Sequence, residues 1–241
     1  MTQIRHRRLG IAAWAGCAGL LCSLPLLADT PQERLQESAQ VLSDIMKAPD
    51  KGIPRNLLND AYCAVIVPGV KKGAFVIGGE YGRGFMVCRG EKRGKWGAPA
   101  AVRIEGGSIG WQVGGSDSDV VMLVMSPEGK KSLLQSKFTL GGNAEVAAGP
   151  VGRATSANTD ARMRAKILTW SRSHGVFAGL SLGGATLRQD LDVNTAVYGK
   201  SLTNREIVNS KITVPAAAQP LITELNKYSP LNKYSPREDR S

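Results

Sequence analysis

The chain has 241 residues, of which 42% are hydrophobic, 21% charged and 5% aromatic, with a formal net charge of +11. That length buries enough apolar surface for one large domain or two small ones, and the ordinary charged fraction excludes a disordered polyelectrolyte. Past the first thirty residues no apolar run approaches the roughly 18–20 residues that cross a bilayer, and the 28 glycines lack the period of a collagen.

Residues 1–28 read as an export signal. Arg5, Arg7 and Arg8 form a basic start, an apolar stretch runs from Leu9 to Ala28, and acidic and polar residues begin at Asp29. Cleavage is expected after Ala28, although Leu26 is larger than the ideal there. The competing reading is a lipoprotein signal ending at Cys17, which fits less well because Trp14 precedes it and the chain stays apolar after it. A twin-arginine signal at Arg7-Arg8 is poorly matched by His6 and Gly10. Export implies the periplasm or another envelope location. Of 31 Lys and Arg, 28 then remain against 20 Asp and Glu, a net charge of +8. Beyond aiding solubility, such a charge favours phospholipid headgroups or polyanionic glycans, and export makes nucleic acid the least suited partner.

Cys17 and Cys22 leave with the signal, so Cys63 and Cys88 remain as one candidate disulfide pair in an oxidising compartment. A simple meander puts Cys63 at the start of the first strand and Cys88 at the end of the third, at opposite ends of the sheet. Only a bend or a different pairing brings them together, so the bond stays open at this level.

Along the mature chain, Thr30-Pro31-Gln32-Glu33 is a capping box with proline in the first turn, and Leu35, Leu42, Ile45 and Met46 continue at helical spacing to about Lys47. A short helix is expected over Ile53 to Asp60. CAVIVP, GAFVIGG, RGFMVCR, APAAVRIEG, SIGWQVGG and DVVMLVM then read as short strands. Val102 and Ile104 share one face, as do Ile109, Trp111 and Val113. DVVMLVM, apolar on both faces, belongs in the centre of a sheet covered on each side. Ser126-Pro127 opens a helix to about Gln135. AKILTWSRS and GVFAGLSLGGATLR form a late pair of strands, and helices begin near Asn204 and Pro215. Five Gly-Gly pairs at strand ends suggest a curled sheet or small barrel. The expected fold is a single α+β domain over residues 29–225, a mostly antiparallel glycine-rich sheet with flanking helices. Residues 226–241, which hold most of the tandem LNKYSP repeat, are expected to be an unstructured tail.

Few motifs carry chemistry. GGSIG and GLSLG fit G-x-S-x-G, but Ser108 and Ser181 each sit inside a strand pattern, where a nucleophile elbow needs a strand, a turn and then a helix. His174 is the one histidine of the mature chain. Asp190, Asp192 and Asn194 resemble the start of a calcium loop, yet Thr195 replaces its glycine and Ser201 its final glutamate. No cofactor or metal site is expected.

VIVPGVKKGAFVIGGEYGRGFMVCR, WGAPAAVRIEGGSIGWQVGG, DVVMLVM, KFTLGGNAEVAAGPVGR and SRSHGVFAGLSLGGATL together resemble, in order and spacing, the SYLF domain, a lipid-binding domain also described as a Las-seventeen-binding actin-regulator domain. The likeness covers about residues 38 to 200. It implies a non-enzymatic domain whose eukaryotic relatives bind phosphoinositide membranes and, in fungi, actin filaments. Exported bacterial relatives look like envelope proteins with a lipid-binding tendency. Lys71, Lys72, Arg83, Arg89 and Arg153 lie at turns where they can meet phosphate, Lys130-Lys131 lies on the middle helix, and Trp96 and Trp111 are candidate interfacial anchors. The helix from Gln32 to Lys47 carries Arg34 and Lys47 against Glu33, Glu37 and Asp44, so it suits packing on the core better than binding anionic lipid. Actin binding does not transfer to an exported chain. The expectation is an envelope protein that binds anionic phospholipid through basic turns. A structural or assembly protein acting through protein contacts is the alternative, and a serine hydrolase the third reading.

Overall fold

The computed structural model describes residues 29–48, 52–75, 77–90, 94–109, 114–140, 146–149, 165–173, 176–178 and 184–230. The first helix, α1 (Pro31–Lys47), is closed by the expected capping box: Glu33 N–H donates to the Thr30 hydroxyl, and the Glu33 carboxylate accepts from Thr30 N–H. Its stripe of Leu35, Leu42 and Ile45 is fully buried. The short α2 (Arg55–Asp60) leads into the sheet.

Nine strands are described: β1 (Cys63–Phe75), β2 (Ile77–Cys88), β3 (Ala100–Ile109), β4 (Gly114–Val124), β5 (Lys137–Thr139), β6 (Val146–Ala148), β7 (Ile167–Ser173), β8 (Val176–Ala178) and β9 (Thr186–Gln189). They form one curled sheet in the order β5-β9-β3-β2-β1-β4-β7-β6, with β8 added to β7, and every pairing is antiparallel except β6 with β7. Four further helices complete the domain: α3 (Pro127–Leu133), α4 (Leu191–Tyr198), α5 (Asn204–Asn209) and α6 (Gln219–Tyr228).

Strand alternation divides the interior into two cores. Ala64, Ile66, Phe85, Val87, Val121 and Leu123 face α1, α2 and α6 on one side of the sheet. Cys63, Val65, Met86, Val102, Ile104, Val120, Met122 and Val124 face the other, where Phe138 and Leu187 of β5 and β9 close over them with Leu133 of α3 and Ile207 of α5. The expected central position of DVVMLVM follows, since β4 lies between β1 and β7 and feeds both cores. Ile109's side chain, Trp111 and Val113 lie outside the described residues.

One strand expectation is corrected. CAVIVP, GAFVIGG and RGFMVCR do not form three strands: β1 runs unbroken from Cys63 to Phe75 through PGVKK, and β2 from Ile77 to Cys88, so GAFVIGG is divided between the two. The turn signal Pro68-Gly69 is accommodated as a bulge instead. Register against β2 passes from Ile66↔Phe85 to Lys71↔Tyr81, and against β4 from Val67↔Val120 to Val70↔Ser118, one extra residue on β1 in each case. Gly69 supplies the left-handed φ of +53° that the bulge requires. The chains crowd there: a Cβ on Gly84 would lie 2.0 Å from the Ile66 carbonyl oxygen and 2.7 Å from Val67 Cα, so only glycine allows the strands to coil this tightly.

This geometry removes the objection to the disulfide. With β1 and β2 as two long arms of one hairpin, Cys63 and Cys88 stand directly opposite at its open end, bonded, with Cα atoms 4.0 Å apart.

The C-terminal boundary also differs from the expected one. α6 continues to Tyr228, and in the first LNKYSP copy Leu225, Tyr228 and Ser229 are 0%, 5% and 0% exposed. Residues 226–230 therefore belong to the domain. The second copy lies outside the described residues.

Candidate functional site

The four described basic candidates do not gather at one site, although Lys71 and Arg83 share a cleft. Lys71 is exposed on β1 just after the bulge and edges an open cleft of about 530 Å³ between α1 and the β1–β2–β4 rim. Lys72 faces the second core's side of the sheet and is held by Glu80, its direct cross-strand neighbour, at 2.7 Å. Arg83 also lines the cleft, but its Nε sits 3.1 Å from the buried Asp190 carboxylate. Arg153 lies outside the described residues.

Arg89 is an interior residue, 3% exposed. Its guanidinium donates to the Gly94 and Ser229 carbonyls and to the Ser229 hydroxyl, and stacks on the Trp96 ring with 4.1 Å to the centroid. A headgroup reaches it only by displacing the end of α6, so Arg89 fastens the C-terminal segment to the hairpin. Trp96, 4% exposed beneath it, belongs to the first core and is removed from any membrane surface.

The large cleft has mixed charge. Arg34, Lys71 and Arg83 line it together with Asp29, Glu37, Asp117 and Asp119. Burial, then the neighbouring Asp29 charge, pushes the Glu37 carboxyl above its ordinary range, with Arg34 opposing. Beside it, Arg172 bridges Asp44 at 3.2 Å and Asp119 at 2.9 Å, joining α1, β4 and β7. Burial works against the Arg172 charge, and hydrogen bonds to Asp119 and Asp44 outweigh it, so its pKa is raised. The cleft is no selective anion pocket.

The calcium-like run serves the fold. Asp190 caps α4 by accepting from Val193 N–H, and Asp192 is exposed on the helix surface. Asn194, fully buried, accepts from Ala101 N–H at 2.8 Å and donates to the Leu202 carbonyl and to Asn204, which in turn donates to the Ala101 carbonyl. The asparagine pair thereby satisfies β3 beyond its register with β9. Ser108 lies in β3 opposite Gly78 of β2, so no strand-to-helix elbow exists there, while Ser181 and His174 lie outside the described residues. Among the described residues no cluster of three His, Cys, Asp or Glu groups is placed to hold a metal.

The charges that remain at the surface are largely ones no motif singled out. Asp44, Glu80, Glu105, Asp119, Asp190 and Glu224 are in ion pairs, and Glu33 and Glu206 accept hydrogen bonds at helix N-termini. Lys71, Lys131, Lys137, Lys200, Arg205 and Lys211 are exposed and form no ion pair among the described residues. Apart from Lys71 and Lys131 they sit singly in polar segments, so nothing in the linear sequence groups them.

A curled, mostly antiparallel sheet with helices on both sides defines an α+β domain, and the comparisons give the family. The family model described as "Ysc84: Las17-binding protein actin regulator" matches residues 105–228, just over half the chain, and the chain belongs to this family, the one that carries the SYLF domain. Similar curated proteins include "SH3 domain-containing protein PJ696.02" of Schizosaccharomyces pombe, 35% identical over 72% of this chain and 41% of its own length. "Protein YSC84" of Saccharomyces cerevisiae is 33% identical over 78% of this chain and 41% of its own, and human "SH3 domain-containing YSC84-like protein 1" is 32% identical over 81% and 56%. The chain thus spans about half the length of these relatives, or less. The family description is that of a binding and regulatory protein, and none of these three names is that of an enzyme.

Proposed function

We propose that this chain is a non-enzymatic envelope protein, exported by residues 1–28, that binds anionic phospholipid through exposed lysines and arginines. The observation that carries this reading is a surplus of exposed cations: six of the fourteen described carboxylates are in ion pairs and two more cap helices, while Lys71, Lys131, Lys137, Lys200, Arg205 and Lys211 are exposed and in no ion pair among the described residues. The positive excess resides on solvent-exposed side chains, each worth roughly 1 kcal/mol near a negatively charged bilayer. Membership of the SYLF family supports the same reading. No helix among the described residues is long and apolar enough to cross a membrane, which accords with attachment through the surface.

Co-sedimentation of residues 29–241 with vesicles of neutral, phosphatidylglycerol, cardiolipin and phosphoinositide composition, at two salt concentrations, tests it. Binding is expected to anionic vesicles alone and to fall steeply with salt. Equal binding to neutral and anionic vesicles, or none, overturns it, and salt-insensitive retention on membranes through protein contacts favours an assembly role. The export step is tested by N-terminal sequencing of the mature protein, which is expected to begin at Asp29.

A further inference from the structure

The two short helices that close the second core leave a groove between them. Pro127, Lys130, Lys131 and Leu134 recur at positions one turn apart on a single face of α3 and its C-cap, and Arg205 and Asn209 do the same on α5. Together they line a groove of about 200 Å³. Leu133 and Ile207, 4% and 1% exposed, anchor the two helices in the core and hold the groove walls at fixed separation.

Three of the six lining side chains are cationic and none is acidic. Glu206, beside Arg205 in sequence, is turned back onto Thr203, accepting from its N–H at 2.8 Å and its hydroxyl at 2.7 Å. Lys130 is steadied by donating to the Arg89 carbonyl at 3.0 Å. Lys131 and Arg205 are exposed at the rim. A planar guanidinium able to form two parallel hydrogen bonds, flanked by ammonium groups, fits a phosphate oxyanion better than a carboxylate-lined cleft does. The apolar faces of Pro127 and Leu134 offer contact to the carbon atoms next to that phosphate. The 530 Å³ cleft on the other side of the sheet, with four carboxylates, lacks this complementarity.

We infer that the α3–α5 groove is the headgroup site, in which Lys131 and Arg205, with Lys130 behind them, hold the phosphate of an anionic phospholipid in a bilayer. This rests on the lipid-binding reading above and gives it a location and an orientation. The face bearing α3 and α5 lies against the membrane, and α1 and α6 point away.

The test is vesicle binding by the purified protein, the Lys131→Gln/Arg205→Gln variant, and a charge-matched Lys47→Gln/Lys227→Gln variant on α1 and α6. At about a factor of five per basic residue near an anionic surface, the groove variant is expected to bind phosphatidylglycerol vesicles about 25-fold more weakly. Neither control cation lines the groove, so their loss is expected to change binding by less than about threefold. Unchanged thermal melting of both variants excludes misfolding. Equal losses in the two variants overturn the groove while leaving lipid binding standing. No binding of the unmodified protein to anionic vesicles overturns both readings. Stabilisation of the unmodified protein by inorganic phosphate, with no vesicle binding, overturns the membrane assignment and identifies a soluble phosphate as occupant.

Discussion

Breaking the bond between Cys63 and Cys88 tests the hairpin geometry on which the rest of the sheet is built. The two cysteines are 25 residues apart and close the open end of β1–β2. Constraining an unfolded loop of that size is worth about 3.5 kcal/mol at 25 °C on the chain-entropy description. Both residues are buried among apolar side chains, Cys63 at 0% and Cys88 at 3% exposure, where a free thiol behaves as a small hydrophobic group and leaves no unsatisfied polar atom. The loss is therefore set mainly by the broken cross-link. For a domain of this size it lowers Tm by about 7–14 °C. Calorimetry with and without reductant measures the shift, and thiol titration of denatured, unreduced residues 29–241 is expected to find no reactive sulfur. Because either substitution breaks the same bond, Cys63→Ala and Cys88→Ala are each expected to cost nearly as much as the double variant. Single costs that sum to the double, or a reductant shift below about 2 °C, would refute the reasoning.

Gly84→Ala drives a methyl group into the Ile66 carbonyl and is expected to destabilise by more than about 3 kcal/mol in urea unfolding, whereas Gly73→Ala, with nothing within 4 Å of the added atom, is expected to be neutral or slightly stabilising. Asn194→Ala orphans Ala101 N–H and leaves the Leu202 carbonyl without this donor, costing about 2–4 kcal/mol, and Asn194→Asp is expected to be no better because it cannot donate to Leu202 and Asn204. Glu37 holds its proton more tightly in the folded state, so the stability associated with it is present below the ordinary glutamate range and lost as pH rises through its raised pKa. Glu37→Gln is therefore expected to melt slightly above the unmodified protein at pH 7 and together with it near pH 3. Truncating Arg89 to Ala is expected to release Ser229 and expose the end of α6, seen as faster hydrogen exchange over residues 219–229 without loss of the β4 core's protection.

Features that depend on neighbouring residues were legible in the sequence. The capping box at Thr30, the buried stripe of α1 and the two-sided burial of β4 follow from side chains within one or two turns or along one strand, where spacing alone fixes which groups share a face. Features that depend on partners far along the chain were not. Pro68-Gly69 has the composition of a turn, and it became a bulge because β2 and β4 pair with β1 on both of its sides. Arg83 and Arg89 have the composition of surface turns, and each is taken up by a partner no local pattern reveals: Asp190, and Ser229 at a separation of 140 residues. Lys131 stands out in sequence only as half of a basic pair and Arg205 not at all, and the two acquire a shared role only because Leu133 and Ile207 seat their helices in the same core. Family, fold class and the sign of the surface charge were thus decided by the order of amino acids, since they depend on pattern and composition. Which positive groups remain outside the protein's own ion pairs was decided only by folding, because electrostatic partnership depends on distance in space.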